Sequence, residues 1–420
     1  MMSRLHCFIL MWVLSILLSY SRAAAENLVV TSDFPGGSAE VVQIDQRQRI
    51  ILVRPAGDPQ FGWPCWWYFR VKGLTPGEEL TVTVDASQMK QANGQKLSAT
   101  WALPEQAAFS TDQRVWSQTP PGKKQGETCE WKVKPDTKVV WFAWGPAFVP
   151  GDAEELVKSL SQKHTHVTAF ELCKTRAGRS VPALVVSPAG EKDESRMVIW
   201  VQARQHAWES GGSWVGRGFI EWAVSEDPQA VALREKTDIY FVPVMDIDNV
   251  ATGNGGKNQV PHDHNRDWSE HPRWNAVQTA MKSIKTFDEQ GRLVMFVDLH
   301  NPGANSKQPF FYIAPPELNT ERRKALQDAF IAACRVEMRE PLKLDRSTPS
   351  TGPKYDKRWK EISSNWVRSV TREHVVGITL ETCWNTPHSN PQGYMTVGMQ
   401  LGRGIARYLQ QDPRQSSDSK

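Results

Sequence analysis

Leu293-Val294-Met295-Phe296-Val297-Asp298-Leu299-His300 opens as an apolar strand and turns polar at its end. A strand without alternation has both faces covered, as in a largely parallel sheet flanked by helices. Similar apolar runs occur at Met197 to Val201, Ile239 to Val244, Phe310 to Ala314 and Val375 to Thr382. Helical patterns lie between and after them. Trp214, Val215, Phe219, Trp222 and Ala223 share one face, as do Ala325, Ala329, Ala332 and Ala333, and Val397, Leu401, Ile405 and Leu409. Asp152 followed by Glu155 reads as a capping box that opens this half. The expected fold is α/β, with a mixed, largely parallel sheet and helices on both faces.

Upstream the pattern changes to short strands and turns. Arg49 to Val53, Cys65 to Val71, Leu80 to Val84 and Val139 to Trp144 read as strands, with Pro76-Gly77 as a turn. No long helical period interrupts them, so an antiparallel β-sandwich is expected before the α/β unit. Pro146, Pro150 and Gly151 mark the junction. The expected order is a signal peptide over 1–25, the sandwich over 26–150, the catalytic domain over 151–411 and a disordered tail over 412–420.

The 420 residues suffice for two domains, and the net charge of +4 is small. No basic run with interleaved aromatics points to nucleic acid. Arg4, the apolar run from Cys7 to Leu18 and Ala23-Ala24-Ala25 have the form of a cleaved leader, with an uncleaved anchor as the alternative. An exported protein, periplasmic or extracellular and without stable membrane insertion after cleavage, is expected. Cys65, Cys129, Cys173, Cys334 and Cys383 then remain, an odd number, so at least one is unpaired within the chain. A bridge between Cys65 and Cys129 is conceivable. No C-x-x-C motif suggests a thiolate zinc site.

In sheets of this kind reactive groups gather beyond the carboxyl ends of strands. His206-Ala207-Trp208-Glu209 lies five residues past Val201 and offers imidazole and carboxylate to one divalent ion; an exposed polar turn is the other reading. His300 ends its strand, and Asp298, two residues before it, shares its face and suits a partner that fixes the ring's tautomer. Glu381 sits in an otherwise apolar strand, where it needs an ion pair or a proton-transfer role. In Asp263-His264-Asn265-Arg266-Asp267-Trp268, Arg266 beside Asn265 matches a substrate carboxylate. His262, His264 and His271 crowd the same loop without carboxylate spacing for a second metal.

In this order the motifs resemble the M14 zinc carboxypeptidases, and most closely their cytosolic-carboxypeptidase-like branch, whose members remove glutamate from tubulin tails and other proteins. The likeness rests on Ala203 to Ser210, Asn265 to Trp268, Thr379-Leu380-Glu381, Gly178 to Leu184 and the strand Trp66 to Val71, and covers roughly residues 30 to 410. It implies one zinc ion per chain on His206, Glu209 and His300, with Glu381 as general base toward a zinc-activated water. It further implies that Asn265 and Arg266 bind the C-terminal carboxylate of a peptide or protein, and that Arg204 assists the developing oxyanion, with a structural role as the alternative for Arg204.

Two departures stand out. The branch's carbonyl-polarising arginine falls on Gly256, with Lys257 adjacent as a substitute point charge. Its N-P-D-G turn appears as Asp246-Ile247-Asp248-Asn249. Alternatives to a carboxypeptidase are a zinc amidase acting on acylated amino acids or cell-wall peptides, and a catalytically weak protein that binds peptides or sugars through Trp63, Trp66, Trp67 and Trp101. The specificity pocket is expected within Pro353 to Arg368, with Tyr355 and Arg368 as candidates.

Overall fold

The structure, a computed structural model, describes residues 26–188, 193–303 and 306–415. The expected leader and the last five residues lie outside the described residues. No described helix is long and apolar enough to cross a membrane.

Seven strands form the central sheet: β1 (Val167–Lys174), β2 (Ser180–Val186), β3 (Met197–Ala203), β4 (Thr237–Val242), β5 (Leu293–His300), β6 (Phe310–Tyr312) and β7 (Val376–Glu381). Their order is β1-β2-β4-β3-β5-β7-β6. The central pairs β4/β3, β3/β5 and β5/β7 are parallel, and the outer pairs are antiparallel. Every residue of β3, β5 and β7 is buried, as continuous apolar strands require.

The helices are α1 (Pro150–Lys163), α2 (Ser210–Ala223), α3 (Asn275–Glu289), α4 (Glu321–Glu337), α5 (Ser363–Val370) and α6 (Pro391–Tyr408), beside two shorter ones at Pro228–Arg234 and Ile247–Thr252. Both faces of the sheet are covered. A Cβ on Gly216 of α2 would lie 3.4 Å from Leu299 on one face. On the other, Phe296 packs 5.6 Å from Trp268, which packs 5.4 Å from Trp366 of α5. Asp298 and His300 share the Phe296 face because strand side chains alternate.

Two local expectations change. Asp152 lies inside α1 rather than at its cap: its Oδ2 accepts the Val149 N–H at 2.7 Å, closing the first turn from within. On α4 the buried face is Gln327, Phe330, Ile331, Ala333 and Cys334, while Ala325, Ala329 and Ala332 are exposed. Alanine contributes little area to either environment, so the bulky side chains turn the helix.

The first domain holds two five-stranded sheets, ordered 29–31, 68–72, 139–143, 108–110, 117–118 and 40–45, 50–54, 80–85, 128–133, 123–125. All pairs are antiparallel except 50–54 with 80–85. Trp67 and Trp131 meet in its core at 5.6 Å. The five described cysteines are free thiols, so Cys65 and Cys129 do not bridge. Of the tail, Arg414 is packed, donating through Nη1 to Ser195 O at 2.9 Å and pairing with Asp412.

Candidate metal centre and active site

Strand β3 ends at Ala203, and the loop that follows carries His206 and Glu209 into the first turn of α2. Gly212 makes this possible: a Cβ there would stand 2.7 Å from Leu299 O, so only glycine lets the helix start against the end of β5. Glu209 thereby reaches across to His300, the last residue of β5. Its Oε1 lies 2.8 Å from His206 Nδ1 and its Oε2 lies 2.6 Å from His300 Nδ1. All three side chains are buried, and their candidate ligand atoms lie within 4.8 Å of one another, the single such group among the described residues.

The outward nitrogen of each ring faces a carboxylate. His300 Nε2 lies 2.9 Å from Asp298 Oδ2, which also accepts from Gln205 Nε2 and from Ser363 Oγ at 2.5 Å. His206 Nε2 faces Asp263 Oδ1 at 3.5 Å. Both of those atoms are sealed from solvent and have no hydrogen-bond partner, so each is the other's natural complement. Asp263 had no role in the sequence reading; its signal was the carboxylate two residues before Asn265, in a loop far along the chain from His206. Such partners fix the ring proton on Nε2 and leave Nδ1 free to ligate.

Charge in the site is lopsided. Burial opposes ionisation of Glu209, yet the two histidines hold its carboxyl well below the usual range. Burial likewise opposes a charge on His300, but Asp298 and Glu209 hold it well above the ordinary histidine value. A divalent cation among these atoms takes the place of that proton, so the donor set fits zinc in charge and chemistry. Glu381, paired in register with His300 across β5 and β7, keeps Oε2 buried without a partner. Burial pushes its carboxyl up to about 7, with Glu209 adding to the rise and His300 and Lys257 opposing it.

A histidine, a glutamate three residues on and a histidine ending a parallel strand thus converge before a seven-stranded sheet of this order. Residues 153–390, more than half of the chain, match the zinc carboxypeptidase family. The chain belongs to that family, M14. Residues 30–144 match the cytosolic carboxypeptidase N-terminal domain. Cytosolic carboxypeptidase 1 of Danio rerio is 31% identical over 156 residues, 34% of this chain and 13% of that protein. The Homo sapiens protein of that name is 23% identical over 239 residues, 48% of this chain and 19% of its own. The chain spans less than two thirds of the length of these relatives. Among solved structures, a metallo-carboxypeptidase from Burkholderia cenocepacia superposes with TM-score 0.76 at 22% identity, over 91% of this chain and 99% of that one. One from Pseudomonas aeruginosa gives 0.75 at 21%, over 92% and 100%. At these identities the likeness concerns the fold.

The remaining candidates of this family member divide into those that line the site and those that do not. Asn265 lines it: its Nδ2 lies 3.3 Å from His300 Nε2 and its Oδ1 accepts the Ser363 N–H at 2.9 Å. Arg266 donates through Nε to Asp356 Oδ2 at 3.0 Å and through Nη1 to Asn265 O at 2.8 Å, and it lies over Tyr355 at 5.9 Å. Its Nη2 has no partner among the described residues and remains available to an incoming anion.

Lys257 is half-buried, with Nζ 5.7 Å from the Trp63 ring. Burial disfavours its charge, but Tyr355, Glu209 and Asp263 hold the ammonium above its ordinary pKa. The adjacent Gly256 has φ +75°, and a Cβ there would meet Asp246 Oδ2 at 2.4 Å and Ala207 N at 2.7 Å. No arginine fits that position, which leaves Lys257 as the loop's cation.

Arg204 takes the structural role that the sequence also left open. It is buried with φ +63°, and its guanidinium donates to Ala207 O and to Phe148 O at 3.2 Å, tying the ligand loop to the domain junction. Arg368 departs from its expectation. It packs beside Gly377 near the start of β7, four residues or roughly 13 Å along the strand from Glu381. Tyr355 stays at the site.

The first domain reaches the metal ligands directly. Trp208, between them in sequence, is buried edge-on to Trp144 at 5.0 Å and Trp101 at 5.7 Å. Trp63 and Trp101, both half-buried, pack 4.6 Å from each other, and Trp66 and Trp67 are buried, so these rings pack together instead of forming an open sugar platform. Of the loop histidines, His262 pairs with Asp267 at 2.6 Å, His264 stacks 4.9 Å from Trp274 and His271 is exposed.

Proposed function

We propose that the protein is a zinc-dependent carboxypeptidase that removes C-terminal residues from peptides or proteins. What carries this reading is Glu209 facing Nδ1 of both histidines, each braced by its own carboxylate, with Glu381 unpartnered alongside. His206, Glu209 and His300 would hold one ion per chain. Zinc held there supplies a lowered water pKa and polarisation of the scissile carbonyl. Glu381 accepts the proton of the attacking water and passes it to the leaving amine. Arg266, through its free Nη2, pairs with the substrate's terminal carboxylate, while Asn265 holds the first residue of α5 in place beside the strand-end histidine. Lys257 supplies positive charge toward the carbonyl oxygen, in the manner of an oxyanion site.

Metal content by mass spectrometry tests the centre. About one zinc per chain is expected in the purified protein and none in His300→Ala; wild-type protein that stays metal-free after zinc is supplied sinks the reading. Peptides differing in their last residue then test the activity. The leader-like segment over 1–25 supports an exported enzyme. Secreted protein beginning near residue 26 is the expected result, and retention of the whole chain in the cytosol counts against export.

A further inference from the structure

The four loops that leave the parallel strands at their carboxyl ends all rest on the first domain. Trp208, after β3, is edge-on to Trp144 and Trp101. After β5, Lys307 donates through Nζ to Glu105 Oε2 at 3.0 Å. After β7, Trp384 packs 4.1 Å from Trp144, and Gln118 Nε2 donates to Thr386 O at 3.0 Å. The loop after β4 is held through its backbone. Gly256 N–H donates to Phe61 O at 2.9 Å, Trp63 N–H to Lys257 O at 2.8 Å and Val260 N–H to Gln60 O at 2.9 Å. The two chains touch without room for side chains between them: a Cβ on Gly62 would stand 2.5 Å from Gly256 N, and one on Gly255 1.9 Å from Trp63 O.

This clamp fixes the backbone of Lys257 but not the end of its side chain. A lysine is a point charge on a flexible four-carbon stem, whereas an arginine carries its own planar, oriented fork. A lysine standing in for an arginine must therefore take its orientation from a neighbour. Among the described residues Lys257 Nζ forms no hydrogen bond or ion pair, and the group it lies over is the Trp63 ring, 5.7 Å from the centroid. That distance is within the range in which a ring face attracts an ammonium. The ring is itself fixed, packing 4.6 Å from Trp101, which meets Trp208 between the metal ligands in sequence.

We propose that Trp63 of the first domain is a positioning residue whose ring face holds the Lys257 ammonium toward the reacting carbonyl. The first domain thereby completes the site at the place where Gly256 excludes an arginine. The proposal rests on the carboxypeptidase reading, with Lys257 as the cation at the carbonyl oxygen. Charge develops on that oxygen in the transition state, so a displaced ammonium costs turnover more than substrate binding. Trp63 Nε1 is buried without a partner, so replacing the ring breaks no side-chain hydrogen bond.

Peptide hydrolysis by the zinc-loaded full chain tests it with Trp63→Leu, Lys257→Met and the double variant. Trp63→Leu should lower kcat by about 2- to 30-fold with KM within about twofold, the span of a cation–π contact from exposed to desolvated settings. Trp63→Phe, which keeps a ring face, should recover most of that loss. On the Lys257→Met background Trp63→Leu should cost nothing further. Equal losses on both backgrounds, with wild-type activity intact, overturn the positioning role alone; wild-type protein that hydrolyses no peptide sinks the carboxypeptidase reading beneath it. A second readout needs no turnover. In metal-free protein briefly treated with acetic anhydride, peptide mass spectrometry should show Lys257 acetylated faster in Trp63→Leu than in wild type, and an unchanged rate counts against the ring contact. Trp63→Met, likewise without a ring face, replaces Trp63→Leu if that variant does not fold.

Discussion

Replacing Asp263 by asparagine should weaken zinc binding by about 10–100-fold while leaving the three ligands in place. The carboxylate serves two donors: Oδ2 accepts the Asn258 N–H at 2.9 Å, and Oδ1 faces His206 Nε2 at 3.5 Å. Burial disfavours its charge, but His206, Arg266 and Lys257 keep it ionised, well below the usual carboxylate range. An amide of the same shape has one acceptor and one donor, so one of the two N–H groups must lose its partner. The Asn258 N–H is fixed by the backbone, whereas the ring is free to shift, so His206 bears the loss. Metal binding that closes the 3.5 Å gap to a charged hydrogen bond would draw about 1.5–3 kcal/mol from it, which corresponds to roughly 10–150-fold in a dissociation constant. Competition against a chelator of known zinc affinity measures it, with the thermal midpoint of the metal-free protein as a check on folding. Zinc affinity within about twofold of wild type, in a variant that folds normally, would refute the role of Asp263.

Glu381→Gln should retain zinc but lose about 10²–10⁴-fold in peptide hydrolysis, as expected for removal of a general base; a loss below tenfold would place the base elsewhere. Arg266→Ala should erase the preference for a free C-terminal acid over its amide, and a preserved preference would show that another group reads the carboxylate. For His264 the expectation concerns pH. Burial is the main cause that lowers its pKa from 6.5 to about 4, although Asp267 and Asp263 oppose it. The unfolded chain therefore takes up a proton before the folded chain does. Stability is fully present above about 6.5 and falls as pH drops toward 4, by up to about 3 kcal/mol from this group. Denaturant unfolding of His264→Phe across that window should give a flatter profile than wild type, and parallel profiles would count against the assignment.

Much of this was legible because it is local. Continuous apolar strands announce a covered parallel sheet, and the polar residues at their ends announce where chemistry sits. His206, Glu209, His300 and Glu381 could be singled out because each lies within a few residues of a strand end, or within one turn of a helix start. The helix over 321–337 was read with the wrong face because its alanines fit either environment, and only packing of Phe330 and Ile331 turned it.

The sequence by itself determined the order of the strands along the chain, the division into a β-rich and an α/β half, and the residue types a zinc centre requires. Tertiary structure alone decided what depends on approach between distant segments. It set Asp263 behind His206, closed Gly256 to any side chain, and wedged Trp208 between Trp144 and Trp101 of the other domain. It also moved Arg368 from an expected pocket wall to a buried place beside Gly377, near the start of β7. The physical reason is that periodicity and caps act over a few residues, whereas burial, orphaned donors and paired charges arise only when remote surfaces exclude water together.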